Sequence, residues 1–317
     1  MTTNGYESGG QPVRRVVAGV DGSDSALHAA LWAAREARSL GVPLLLEYAL
    51  HLPEMAVPPI EPADYAERQQ HAGRELVAGV AAKVCGEFPG VAVEANTSLE
   101  TPVHRLTELS EPDTLMVTGT RGHGGFVGML LGSVSRTLAM HARGPMVVVR
   151  GPEPEQASGP VVLGVGLRPN ESAIEYAFAA ARRYAARLRV VRAWVPPTPM
   201  MAGLGLPGAA ALGMAGGPGA LSEPTTVQDS DEDEAADAAR IIEPVRARYP
   251  DVRTEIVARM GNAVPVLNEE CSATRLIVVG AHRGRGPFSV GAGYVVEGLL
   301  AHSPVPIAVV PVCPNED

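Results

Sequence analysis

The sequence predicts an α/β protein built from two doubly wound, mainly parallel five-stranded sheets. Three observations lead there. Short Val-, Leu- and Ile-rich runs alternate with longer segments of helical spacing. Those runs are apolar at successive positions, as strands covered by helices on both faces must be. The whole pattern, begun at Arg14, starts again at Pro160. The 317 residues suffice for two domains of ordinary size. Apolar residues make up 46% and aromatics only 4%, so each half is expected to carry a sizeable aliphatic core.

Residues 1–13 are polar and read as a flexible tail. Arg14 to Val20 is the first strand and ends at Asp21. Asp21-Gly-Ser-Asp-Ser25 is a turn in which Ser23, Asp24 or Ser25 caps the helix Ala26 to Leu40, and Gly41 stops it. Val42 to Leu50 is the second strand. A proline-rich connection, a long helix from Tyr65 to Cys85, a strand from Val91 to Thr97 and a short helix from Pro102 to Leu109 follow. The fourth strand covers Leu115 to Thr118, a glycine-rich loop Gly119 to Gly132, a helix Ser133 to His141, and a fifth strand Met146 to Val149, which closes a domain over residues 14–150.

Residues 151–159 read as a linker. The second domain, 160–313, repeats the order: strand Pro160 to Val165, helix Ser172 to Leu188, strand Arg189 to Val195, helix Asp229 to Tyr249, strand Val252 to Val257, helix Ala263 to Glu270, strand Arg275 to Val279, helix Tyr294 to Ala301 and strand Pro306 to Val310. A Gly/Pro-rich insert, 196–226, interrupts it. The acidic run Asp229 to Glu234 reads as a solvated helix start. Gly119 to Pro145 and Gly280 to Pro306 are equal in length, and without gaps they pair Leu138 with Leu299 and His141 with His302. This is an internal duplication.

The chemistry concentrates in the loop of the first copy. Its glycines are Gly119, Gly122, Gly124, Gly125, Gly128 and Gly132, with Ser133 and Ser135 behind them. A strand that turns through glycines into a helix N-terminus brings backbone N–H groups and positive dipole to one place, a cradle for phosphate. The competing reading is a plain connection whose glycines serve only the turns. The string Gly119-Thr-Arg-Gly-His-Gly-Gly-Phe-Val-Gly-Met-Leu-Leu-Gly-Ser-Val-Ser135 resembles the signature of the ATP-binding subgroup of universal stress proteins, and the duplication makes nearly the whole chain similar to a tandem member. The resemblance implies an adenine-nucleotide α-hydrolase-like fold, with the last strands of the two copies paired as an intrachain pseudo-dimer. It also implies a ligand, ATP with Mg2+. Asp21 would bind the ribose and Ala49 would offer backbone groups to the base. Gly119 and Gly122 would admit the phosphates, with Arg121 beside them, and Gly132, Ser133, Val134 and Ser135 would hold their far end. Taken alone, Asp21 reads as a turn or cap aspartate and only the loop beside it favours the ligand role, while Arg121 and His123 are open to both phosphate contact and solvent.

The second copy departs from the pattern. Asp21 is matched by Gly166, Gly122 by Arg283, Ser133 by Tyr294 and Ser135 by Val296, while Gly132 is kept as Gly293. A carboxylate is lost, and the tyrosine is expected to fill space meant for a phosphate. We therefore expect one working site and one degenerate copy.

Several classes are disfavoured. A net charge of −9 argues against a non-specific nucleic-acid or anionic-membrane binder. No G-K-[ST] follows the glycines, so the lysine of P-loop NTPases is missing, and no nucleophile and base pair stands out. The histidines show no metal spacing such as H-E-x-x-H and read as surface or satisfied residues. Cys85, Cys271 and Cys313 lie far apart, as expected of free thiols in a reducing compartment, and Met1 to Pro12 lacks the apolar core of a signal peptide; a cytoplasmic location is expected. Three functions remain open. The first is a nucleotide-binding stress or regulatory protein with slow or absent ATP turnover. The second is an adenylate-chemistry enzyme on the same fold. The third is a nucleotide-switched scaffold that recruits a protein partner through the second copy and its insert. A homodimer of whole chains is compatible with all three.

Overall fold

The computed structural model describes residues 7–8, 11–50, 62–120, 122, 131–151, 159–196, 227–270, 274–281 and 290–312. The chain opens with a two-residue pair, β1 (Glu7–Ser8) against β2 (Gln11–Pro12). The first half continues β3 (Arg15–Gly19), α1 (Asp24–Leu40), β4 (Leu44–Ala49), α2 (Pro62–Glu87), β5 (Val93–Ser98), α3 (Pro102–Leu109), β6 (Thr114–Gly119), α4 (Ser133–His141) and β7 (Met146–Val149). The second half runs β8 (Val161–Gly164), α5 (Glu171–Arg183), β9 (Leu188–Trp194), α6 (Val227–Arg246), β10 (Thr254–Met260), α7 (Ala263–Glu269), β11 (Leu276–Ala281), α8 (Val290–His302) and β12 (Ile307–Pro311).

The ten longer strands form one sheet in the order β10-β9-β8-β11-β12-β7-β6-β3-β4-β5. Every neighbouring pair is parallel except β7 with β12. That antiparallel seam joins two five-stranded halves by their last strands. Its register places Val147 opposite Ala308, its own counterpart in the repeat, so a pseudo-twofold axis passes between them. The expected core in each half is replaced by one core on each face, continuous across both halves. Trp32, Val84, Phe178 and Ile242 belong to the face covered by α1, α2, α5 and α6. Leu106, Leu138, Leu267 and Leu299 belong to the face covered by α3, α4, α7 and α8. The seam is the cause, because a continuous sheet leaves no gap at which the packed layers could separate.

The caps explain the element ends. Ser23 caps α1 by accepting the Ala26 N–H at 3.2 Å, and Gly41, at φ 70°, ends it. Thr101 caps α3, which starts with Pro102, and Asn170 caps α5. Three expectations move. The helix begun at Glu171 stops at Arg183 rather than Leu188, because Ala185 takes a left-handed φ of 50° and Ala186 N–H donates to the Ala181 carbonyl at 2.9 Å. No glycine announces that turn. The last helix begins one turn early, at Val290 rather than Tyr294. Val13 is buried in the core and so belongs to the folded first half rather than to a tail. Apart from Pro196, the Gly/Pro insert lies outside the described residues.

Side chains tie the halves on both faces. Glu36 of α1 is buried and accepts from Arg183 Nη2 at 2.7 Å and Tyr184 Oη at 2.5 Å. On the other face Arg136 pairs with Glu297 at 2.7 Å, and Arg150 Nη2 donates to the Leu300 carbonyl at 2.8 Å and the Ala301 carbonyl at 3.1 Å, closing the end of α8.

Candidate nucleotide site

In the first half the chain runs from β3 outward through β4 to β5, then returns to β6 on the opposite side of β3. The order reverses between β3 and β6, and this switch point, past the carboxyl ends of the strands, is where ligands of doubly wound sheets bind, in a crevice there. Both strands end there for local reasons. Asp21 follows β3, and its Oδ1 accepts the Ser23 N–H at 3.0 Å and the Ser23 hydroxyl at 2.7 Å. The carboxylate is thereby held in the turn before α1. Its other oxygen faces the loop after β6: a Cβ built on Gly122 would lie 2.2 Å from Asp21 Oδ2. Only a glycine lets the loop backbone come this close to the carboxylate.

Gly119 closes β6 against α1. A Cβ there would lie 2.4 Å from Ser25 Oγ and 2.6 Å from the Ser25 carbonyl. Ser25 Oγ accepts the Thr120 N–H at 3.0 Å, and Gly132 N–H donates to the Thr120 carbonyl at 2.7 Å, closing the neck of the loop. Gly132 then caps α4 with no side-chain hydrogen bond. By helix geometry the N–H groups of Ser133, Val134 and Ser135 have no carbonyl one turn back within α4, and they carry the positive end of its dipole. Ser133 is exposed at this end.

Ser135 behaves differently from expectation. Its hydroxyl is buried, donates to the Gly119 carbonyl at 2.7 Å and accepts from Thr118 Oγ1 at 3.1 Å. It locks α4 onto the end of β6, and its backbone N–H is what it has left for a ligand. Ala49 ends β4, next to β3 in the sheet, with Ser98 of β5 on its other side. Leu50 N–H donates to the Ser98 carbonyl at 2.9 Å, fixing the chain just past Ala49. Arg121 and His123 lie outside the described residues. The structure therefore gathers Asp21, Gly119, Gly122, Gly132, Ser133, Val134 and Ser135 around one crevice, with Ala49 along its β4 side. Sequence reasoning missed Ser25 and Thr120 as the pair that shuts the loop. Gly119 corresponds to Gly280, and a Cβ on Gly280 would lie 2.7 Å from Asn170, the N-cap of α5, so a close approach of this glycine to the start of the first helix recurs in both halves.

The second half keeps the architecture and changes the chemistry. Gly166 stands where Asp21 would be, and a Cβ there meets nothing within 4 Å, so the carboxylate is missing although its space is open. Because α8 begins at Val290, Gly293 and Tyr294 lie inside the helix, and its N-terminus no longer sits at this glycine. Tyr294 is 63% exposed; it does not fill a phosphate pocket as expected. The acidic run is not merely solvated either. Glu234 accepts from Arg192 Nε at 2.6 Å and Asp231 from Trp194 Nε1 at 2.5 Å, and Arg192 Nη1 donates to the Gly166 carbonyl at 2.8 Å. A network thus ties α6 to the end of β9 and to Gly166 just past β8.

The family model described as "Universal stress protein family" matches twice, over residues 12–150 and 158–311. The chain belongs to the universal stress protein family. It is similar to two universal stress proteins of Mycobacterium tuberculosis, one 30% identical over 314 residues with 93% of this chain and 94% of that protein covered, the other 31% identical over 319 residues with 95% and 98% covered. Its fold resembles that of a universal stress protein from Archaeoglobus fulgidus, at a TM-score of 0.69 and 18% identity, covering 98% of this chain and 99% of that one. Among the described residues no helix is long and apolar enough to cross a membrane.

Proposed function

We propose that this member of the family binds ATP, with Mg2+, in the crevice of its first half, as a regulatory protein of the stress response with slow or absent hydrolysis. The observation that carries this reading is the meeting of Asp21 and Gly122. A carboxylate oriented by Ser23 stands against a loop backbone that carries no side chain, in the loop that leads into α4. Asp21 supplies acceptors for ribose hydroxyls, and the N–H groups of Ser133, Val134 and Ser135 supply donors for phosphate oxygens. The second half lacks the carboxylate and has moved its helix start, so binding is assigned to the first half.

The test is the nucleotide content of freshly purified protein, by acid extraction and chromatography. About one ATP per chain, lost in Gly122→Arg, supports the proposal. Two per chain refutes the single-site assignment. None, even after incubation with Mg-ATP, refutes nucleotide binding itself. One observation favours a second reading, recruitment of a protein partner by the second half. Leu167, Val195, Met260 and Tyr294 are four of the five exposed large hydrophobic side chains among the described residues, and the first three follow or end neighbouring strands at the edge of its crevice. On this reading Leu167→Glu with Val195→Glu abolishes partner capture and leaves nucleotide content unchanged.

A further inference from the structure

Helix α3 and the residue before its cap bring three metal-binding side chains to one patch, which shares no residue with the loop and helix end that the nucleotide reading uses. Glu100, His104 and Glu108 are spaced by four residues each, so they fall on one side of the chain as it enters and follows the helix. One donor atom from each lies within 4.8 Å of the other two. His104 Nδ1 is already 2.7 Å from Glu100 Oε2. The arrangement is fixed from below. Thr101 Oγ1 accepts the His104 N–H at 3.4 Å, and Pro102 starts the helix. Arg105 directs its Nε to buried Glu47 at 3.0 Å and reaches Glu108 only at 3.6 Å.

We propose that Glu100, His104 and Glu108 form a surface site for a borderline divalent cation of the Zn2+ type. The imidazole selects against Mg2+ and Ca2+, which take oxygen ligands, and toward Zn2+, Co2+ or Ni2+. The cation enters where a proton is now shared between Nδ1 and the Glu100 carboxylate, and that proton leaves to solvent. Zn2+ bonds of about 2.0–2.2 Å place tetrahedral donors roughly 3.4 Å apart, so these exposed side chains need to close by little more than an ångström. Water completes the coordination. The two carboxylates beside the imidazole supply the negative charge that attracts a divalent cation. The site uses no group assigned to the nucleotide, and it works whether or not ATP is bound.

The experiment is calorimetric titration of the full-length, nucleotide-stripped protein with Zn2+, repeated on His104→Ala and Glu108→Gln, with thermal denaturation confirming that the variants fold. The expected result is one Zn2+ per wild-type chain at this site, an affinity at least tenfold weaker in His104→Ala, a smaller loss in Glu108→Gln, and no competition from millimolar Mg2+. Absence of Zn2+ binding by the wild type overturns the proposal. So does an affinity unchanged in His104→Ala, which would place the ion on another histidine or a cysteine.

Discussion

Arg136 and Glu297 occupy the same place in the two repeats, and they face each other across the pseudo-twofold axis, with Arg136 Nε and Nη2 donating to Glu297 Oε1 at 2.9 and 2.7 Å. At a true twofold axis a residue meets its own copy, and a charged residue there meets a like charge. Duplication within one chain removes that constraint and lets the two positions become opposite. The pair is exposed, so its contribution is modest. We expect Arg136→Glu to lower stability by about 0.5–1 kcal/mol, and Glu297→Arg added to it to restore most of the loss. Urea unfolding at low and high salt measures both, and salt should shrink the difference.

Gly122 is the position at which one methyl group decides ligand access. A Cβ would meet Asp21 Oδ2 at 2.2 Å, so Gly122→Ala must push the loop or the carboxylate aside. Gly122 is itself exposed, so folding is little affected. The expected outcome is a loss of ATP affinity of at least tenfold, or about 1.4 kcal/mol, with an unchanged thermal midpoint. Equilibrium dialysis with labelled nucleotide reads the first and calorimetry the second.

Ser133 and Ser135 should part company under alanine substitution. The Ser135 hydroxyl is buried between Thr118 and the Gly119 carbonyl, and its loss leaves that carbonyl without its partner. Ser135→Ala is expected to destabilise by about 1–2 kcal/mol. Ser133→Ala keeps the backbone N–H but removes the exposed hydroxyl beside it, so it should leave stability within about 0.5 kcal/mol of wild type and weaken nucleotide binding by loss of that donor instead. Denaturant midpoints and nucleotide content on the same preparations separate the two roles.

Glu36 joins the halves from the inside. Arg183 and Tyr184 both donate to its buried carboxylate. Glu36→Ala leaves Arg183 without its counter-charge in the interface and should cost about 3 kcal/mol or more. Because both cores run across the seam, the loss should appear as one shifted transition rather than as unfolding of one half. Fluorescence of Trp32 and Trp194, one in each half, reports whether the halves unfold together.

Alkaline pH should expose the buried tyrosines. Burial raises the pKa of Tyr176, Tyr184 and Tyr249 above the ordinary 10.0, with Glu36 adding to it for the first two and Glu175 for the third. A group whose folded pKa is raised contributes stability that is fully present below its unfolded pKa and is lost as pH rises through the folded value. Stability should therefore fall above pH 10, and three of the seven tyrosines should ionise only as the protein unfolds. Tyrosinate absorbance followed alongside circular dichroism tests the coincidence.

The sequence by itself determined the elements, the duplication and the candidate crevice, because these depend on local spacing. Apolar runs mark strands, Ser23 and Gly41 mark helix ends, and a glycine-rich turn between a strand and a helix marks an anion cradle. Features that depend on a distant partner were decided by the tertiary structure alone. The seam between β7 and β12 merges two expected cores into one per face. Ser135 turned out to be a brace rather than a ligand hydroxyl because the Gly119 carbonyl lies above it. Asp231 and Glu234 are engaged by the sheet because Trp194 and Arg192 of β9 donate to them. Ala185 ended a helix without a glycine because the chain had to turn there to enter β9. A residue type states what a side chain is able to do, and its neighbours in space decide which of those things it does.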